Sequence, residues 1–214
     1  MKYRARVEAT AKRMSSGTDP AAKGVSAATA AVQTARVFFA LWPDDLTRAE
    51  LVRVTREAVR SGGGRPVSEH NLHATLVFVG SVAVTRLAEL SRLATEVARS
   101  QGVPPFELDF ERVEYWQKPR VLVATASAAA GVAAAGALAR GLLEAALGAG
   151  FDPDSKPFRP HITLARKVGK LTRVPEMQRA RLAFDSFALV ESRTLPEGPV
   201  YSVVEAFALK LFRA

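Results

Sequence analysis

His73-Ala74-Thr75-Leu76 and His161-Ile162-Thr163-Leu164 are two copies of one pattern, His-x-Thr-Leu, set 88 residues apart in a chain of 214. The chain has only three histidines, so two of the three occupy the repeat. Side chains two residues apart on a strand share a face. Read as strands, the repeats put His73 beside Thr75 and His161 beside Thr163. Leu72, Ala74 and Leu76, like Ile162 and Leu164, then form an apolar row packed into the core. Imidazole titrates near neutral pH and serves as general acid or general base. A hydroxyl beside it can donate to an oxyanion. The spacing is that of a duplicated half-domain, each half contributing one histidine to a shared cleft.

Outward from the repeats, hydrophobic patterning places the other elements. Val37-Phe38-Phe39-Ala40-Leu41 is a short apolar run closed by Trp42-Pro43-Asp44-Asp45, hence a buried strand. A helix capped by Asp45 or Thr47 follows to about Ser61 and ends at Gly62-Gly63-Gly64. Leu72 to Gly80 reads as a strand and Val84 to Ser100 as a helix. Phe106 to Val113 and Arg120 to Ser127 read as a hairpin. Gly131 to Ala149 is a helix, His161 to Lys167 a strand, and Arg181 to Ser192 with Ser202 to Phe212 a final strand pair. Leu171 to Gln178 is a loop or short helix. The expected fold is α+β: two pseudo-symmetric lobes of antiparallel sheet, helices outside, and the active-site groove between them.

Composition narrows the chemistry. There is no cysteine, which excludes disulfides, thiolate nucleophiles and zinc sites built on Cys. The net charge is +9. Residues 1–35 hold six Lys/Arg against two Asp/Glu, so the remainder is basic without them and favours a polyanionic partner. Residues 1–35 lack apolar periodicity and are expected to form a disordered basic extension, with one domain over 36–214. They suit an over-long start, with Met14 as an internal alternative, or an organellar transit peptide. No secretory apolar region and no uninterrupted apolar run of about 20 residues is evident, so a cytoplasmic monomer without membrane contact is expected. Ala124 to Leu147 comes nearest and carries Arg140 and Glu144.

Asn71 through Gly80 and Pro157 through Arg166 resemble the two signatures of the 2H phosphoesterase superfamily. Arg36-Val37-Phe38-Phe39-Ala40-Leu41 resembles the opening strand of one branch, the RNA 2′,3′-cyclic phosphodiesterases, historically called 2′-5′ RNA ligases. The similarity spans about residues 36–212. Ala74 departs from it, standing where a larger apolar residue is usual. The resemblance implies a terminal ribonucleoside 2′,3′-cyclic phosphate held between the imidazoles, with Thr75 and Thr163 on its non-bridging oxygens. It implies His161 as proton acceptor and His73 as proton donor to the departing 3′-oxygen. No metal or other cofactor is required, because the imidazoles handle both proton transfers.

Arg166 matches the arginine that ends the second signature and could hold phosphate bidentately. Simple alternation puts it opposite His161, so a strand end or bulge must re-aim it. Phe39 could stack on the terminal base or sit in the core, and Tyr115 and Trp116 at a hairpin tip could contact RNA or cover the sheet. His70-x-x-His73 is not a metal pair, since three-residue spacing on a strand sends the side chains to opposite faces. The three glycines lack the Gly-Lys-Ser/Thr ending of a phosphate loop and read as a linker. Alternatives at the same site are 2′-5′ ligation, another 2H substrate, or a basic RNA-binding module without catalysis.

Overall fold

A computed structural model of the chain describes residues 33–127, 129–196 and 198–210. The element order is β1 (Thr34–Leu41), α1 (Asp45–Gly62), β2 (Arg65–Pro66), β3 (Ala74–Ala83), α2 (Leu87–Ser100), β4 (Phe106–Trp116), β5 (Val121–Ala126), α3 (Ala129–Gly148), β6 (His161–Arg166), β7 (Ala180–Phe184), β8 (Ser186–Leu195) and β9 (Gly198–Ala208). Two short 3-10 turns, Glu69–Asn71 and Val84–Arg86, precede β3 and α2. The strands form one strongly curled antiparallel sheet in the order β7-β4-β5-β6-β3-β1-β8-β9, with β2 paired on β6. The fold is α+β, a half-barrel with three helices.

The seam between β3 and β6 decides where the site lies. These strands share a single paired position, Ala74 with Ile162, the middle residues of the two His-x-Thr triplets. In antiparallel pairing the flanking residues face each other, which sets His73 across from Thr163 and Thr75 across from His161. Each motif strand pairs with the strand that precedes it across one helix, β1–α1–β3 on one side and β5–α3–β6 on the other.

Several boundaries move from the sequence reading. Residues 1–32 lie outside the described residues, but Thr34 and Ala35 already belong to β1. The cap of α1 is Asp44, whose carboxylate accepts the Thr47 N–H at 2.7 Å; Asp45 and Thr47 are inside the helix. The glycine run ends α1 at Gly63, with φ +66°, and then leads into β2, which the linker reading omitted. The expected Arg181–Ser192 strand breaks at Asp185. Its first part, β7, closes the sheet beside β4, while β8 pairs with β1 and β9. The two expected lobes are therefore one hydrogen-bonded sheet. The helices also cross the seam: α1 packs on β6 and β7, and α3 on β3, β4 and α2.

By length and composition α3 is apolar enough to cross a bilayer. In the fold it buries Ala135, Leu138, Ala139, Leu142 and Ala146 in the main core, with Phe39, Phe110 and Phe187 among the other fully enclosed side chains.

Candidate active site

Both catalytic candidates are held in the same way. His73, one residue before β3, has Nδ1 2.7 Å from the Asn71 carbonyl oxygen. His161, which opens β6, has Nδ1 2.7 Å from the Arg159 carbonyl oxygen. A carbonyl only accepts, so each Nδ1 carries the proton and donates it, and each Nε2 is left for the cavity. Asn71 is itself tied down, its side-chain amide donating to the Pro199 carbonyl at 2.9 Å.

A cavity of about 530 Å³ is lined by His73, Thr75, His161, Thr163 and Arg166 together with residues of β1, β8 and β9. Thr75 and Thr163 are half-buried, and neither hydroxyl has a hydrogen-bond partner among the described residues. Around His73 stand three aromatic rings. Trp42 is stacked at 5.4 Å, Phe38 tilted at 4.9 Å, and Tyr201 edge-on at 5.0 Å. Beside His161 lies the Trp116 ring, its centroid 4.5 Å away. Glu114 holds that indole by accepting from Nε1 at 3.0 Å, and it accepts from the Arg159 guanidinium at 2.7 Å.

The leucine of each motif is a bulge. Phe39 and Ala40 pair with Val77 and Thr75, so Leu76 is an extra residue in β3. Leu122 and Val123 pair with Ala165 and Thr163, so Leu164 is an extra residue in β6. A bulge reverses the alternation beyond it. Leu76 and Val77 are both buried, as are Leu164 and Ala165, and the fifth residue after each histidine returns to the cavity face. Those residues are Phe78 and Arg166, and both line the cavity. This is the re-aiming that Arg166 required. Its guanidinium has no ion-pair partner among the described residues, and Arg36 lies over the Phe78 ring at 4.7 Å.

Phe39 must be corrected. It is 1% exposed, packed 6.4 Å from Phe187, and cannot reach a base. The cavity position belongs to Phe38, which shares a face with Ala40 and Trp42. A run of five apolar residues has no alternation to phase it, so the sequence left the inward face of β1 undecided. Tyr115 reaches the Val168 carbonyl at the edge of hydrogen-bond distance, while its neighbour Trp116 lines the cavity. His70 is exposed on its 3-10 turn, away from any grouping of His, Asp or Glu suited to a metal among the described residues. Trp42, Phe38 and Tyr201 were missed by sequence reasoning; Trp42, closing the apolar run before Pro43, was the one signal available.

Electrostatics favours neutral imidazoles. Burial pushes His73 from its usual 6.5 down to about 4, with the nearby positive charges of Arg166 and Arg48 acting in the same direction; the Asn71 carbonyl opposes this. His161 is lowered too, chiefly by burial, then by Arg159 and Arg166, against the Arg159 carbonyl and Glu114. The arrangement offers two facing nitrogen bases, two free hydroxyls and a free guanidinium, which suits a small anion undergoing proton transfer on two sides.

Residues 42–194 match the model of the 2′-5′ RNA ligase superfamily. The chain belongs to that superfamily, within the 2H phosphoesterases. It is 35% identical over 185 residues to the RNA 2′,3′-cyclic phosphodiesterase of Thermus thermophilus, covering 82% of this chain and 90% of that protein. To the enzyme of the same name from Archaeoglobus fulgidus it is 29% identical over 80% of this chain and 99% of the relative. Among solved structures, Escherichia coli LigT complexed with 3′-AMP superposes with a TM-score of 0.71 at 27% identity, covering 83% of this chain and 99% of LigT. The matched span of residues 42–194 includes both motif strands.

Proposed function

We propose that this protein is an RNA 2′,3′-cyclic phosphodiesterase that opens a terminal cyclic phosphate to a 2′-phosphomonoester, working on RNA ends as a cytoplasmic monomer. The observation that carries the reading is the mounting of two imidazoles on matching backbone carbonyls, each Nε2 turned to one cavity that also holds Thr75, Thr163 and Arg166. The relatives named as cyclic phosphodiesterases support the substrate, and LigT with 3′-AMP supports a nucleotide in this cavity. The two halves of the sheet act as pseudo-symmetric lobes, each contributing one histidine, one threonine and one bulge to the groove at the seam.

In the proposed reaction, water on the His161 side loses a proton to Nε2 and attacks phosphorus. The P–O3′ bond opposite breaks as His73 delivers a proton to O3′. In-line displacement needs base and acid on opposite sides of phosphorus, which is the reason each half supplies one. Thr75, Thr163 and Arg166 bind the non-bridging oxygens as negative charge shifts onto them. His73 must be protonated to serve as acid, although burial keeps it neutral at pH 7 in the free protein. The phosphate's own charge favours the imidazolium, so proton uptake accompanies substrate binding.

Product analysis on a defined RNA bearing a terminal 2′,3′-cyclic phosphate, across pH 5 to 9, tests the reading. A 2′-phosphate and a bell-shaped profile are expected, with His73→Ala and His161→Ala each lowering the rate by about 100-fold or more. A 3′-phosphate product would reject the assigned leaving group. Full activity in either variant would reject the pair.

A further inference from the structure

The cavity is lined by two guanidiniums, Arg166 and Arg36, and by no Asp or Glu among the described residues. One cyclic phosphodiester carries a single negative charge, so the second arginine asks for a second anion. The two occupy related places. Arg166 is the fifth residue after His161, and Phe78 is the fifth after His73. Where the second motif presents an arginine, the first presents a ring that carries one: Arg36 of β1 lies 4.7 Å from the Phe78 centroid. Arg36 is exposed and has no ion-pair partner among the described residues. A guanidinium stacked on a ring uses its flat face and leaves its in-plane N–H fork free for phosphate oxygens. Ser192 pairs directly opposite Arg36 on β8, and both Ser192 and Thr194 line the cavity.

In-line geometry says which arginine meets which phosphate. The leaving O3′ belongs to the substrate ribose, so the ribose lies on the His73 side of phosphorus. Arg166 comes from β6, the strand of His161. Arg36 and Phe78 come from β1 and β3, the half that carries His73, where the ribose and the strand attached to its 5′ carbon lie. We propose that Arg36 binds the phosphodiester linking the terminal nucleoside to the one before it, so that the enzyme selects an RNA end over a free nucleoside 2′,3′-cyclic phosphate. This rests on the reading of His73 as the acid at a cyclic phosphate. The Arg36 fork takes the two non-bridging oxygens of that linkage. The Ser192 and Thr194 hydroxyls stand along the path the strand then follows, toward the β8–β9 turn. A mononucleotide ends in a 5′-hydroxyl, offers no anion at this place and leaves Arg36 to water.

The test compares, on the full chain, a nucleoside 2′,3′-cyclic phosphate with a dinucleotide ending in the same group. Wild type is expected to use the dinucleotide with a kcat/KM about tenfold higher, and Arg36→Met to remove most of that preference. Arg36→Lys keeps the charge without the fork and should retain part of it. Binding of the dinucleotide 2′-phosphate product, followed by calorimetry, needs no turnover. Its log affinity should fall less steeply with log salt in Arg36→Met, by about 0.7, the loss of one single-strand phosphate contact. Equal kcat/KM for the two substrates in wild type would overturn the proposal. So would an Arg36→Met variant that slows both substrates alike, or an unchanged salt slope. A wild type that hydrolyses neither substrate rejects the hydrolase reading instead, and product binding still decides the role of Arg36, so the two failures are distinct.

Discussion

Trp42 and His73 lie face to face, with ring centroids 5.4 Å apart and planes 19° from parallel. Arg48, 6% exposed, sets its guanidinium 5.3 Å from the same indole, with its Nε unpartnered. The indole therefore both shields the imidazole from water and fixes its plane. Trp42→Ala is expected to admit water, so His73 rises from about 4 toward 6.5, because burial is the largest cause of its depression. Turnover should fall roughly tenfold as the ring loses its orientation. Proton NMR titration of the His73 ring checks the first effect and single-turnover kinetics the second. An unmoved titration would show that Trp42 is not what desolvates the histidine.

Anion binding should be proton-linked. Burial lowers both imidazoles, which favours their neutral forms at pH 7, and an anion between them favours their charged forms. Sulfate stays a dianion over this range and is a clean probe. Its affinity is expected to rise as pH falls from 7.5 to 5.5, with net proton uptake measured by calorimetry in buffers of different ionisation enthalpy. A pH-independent affinity would mean that the imidazoles do not face the bound anion.

The same depression acts on stability, with a definite sign. Between about 4 and 6.5 the unfolded His73 binds more protons than the folded one, so acidification favours unfolding across that window. The contribution is fully present above 6.5 and is lost as pH falls toward 4; His161 adds in the same direction. Urea unfolding at several pH values should show a shallower decline in His73→Gln than in wild type.

Sequence reading recovered the His/Thr pairs because each lies within three residues, where strand parity is reliable. It could not settle Arg166, since the parity change comes from the register of β5 against β6, and Leu164 looks like any apolar strand residue. Phe38 was passed over for Phe39 because the apolar run from Val37 to Leu41 has no alternation to show which residues face the cavity. Tyr201 lies 128 residues from His73 and reaches it only because β9 pairs with β8, placing it opposite Ser192. Nothing local in the chain announces such an approach. The break at Asp185 was passed over because only Asp185-Ser186 interrupts the apolar residues of β7 and β8, which go to different neighbours.

The packing of α3 on the sheet makes another expectation. A Cβ added at Gly131 would stand 1.8 Å from the Glu107 carbonyl oxygen in β4, a backbone atom that cannot turn aside. Gly131→Ala should cost about 3 kcal/mol of stability. At Gly136 the nearest atom is a Phe158 ring carbon at 3.9 Å, an ordinary contact. Gly136→Ala should instead gain about 0.5–1 kcal/mol from the stiffer unfolded chain. Thermal or chemical denaturation of the two variants separates these outcomes.

Ala74 and Ile162, both fully buried, are the only residues through which β3 and β6 pair. The separation of the two imidazoles is thus gauged by backbone, as on a caliper whose jaws meet at one rung. Side chains of the cavity can vary without resetting that gauge, because the one rung that sets it points into the core rather than into the cavity.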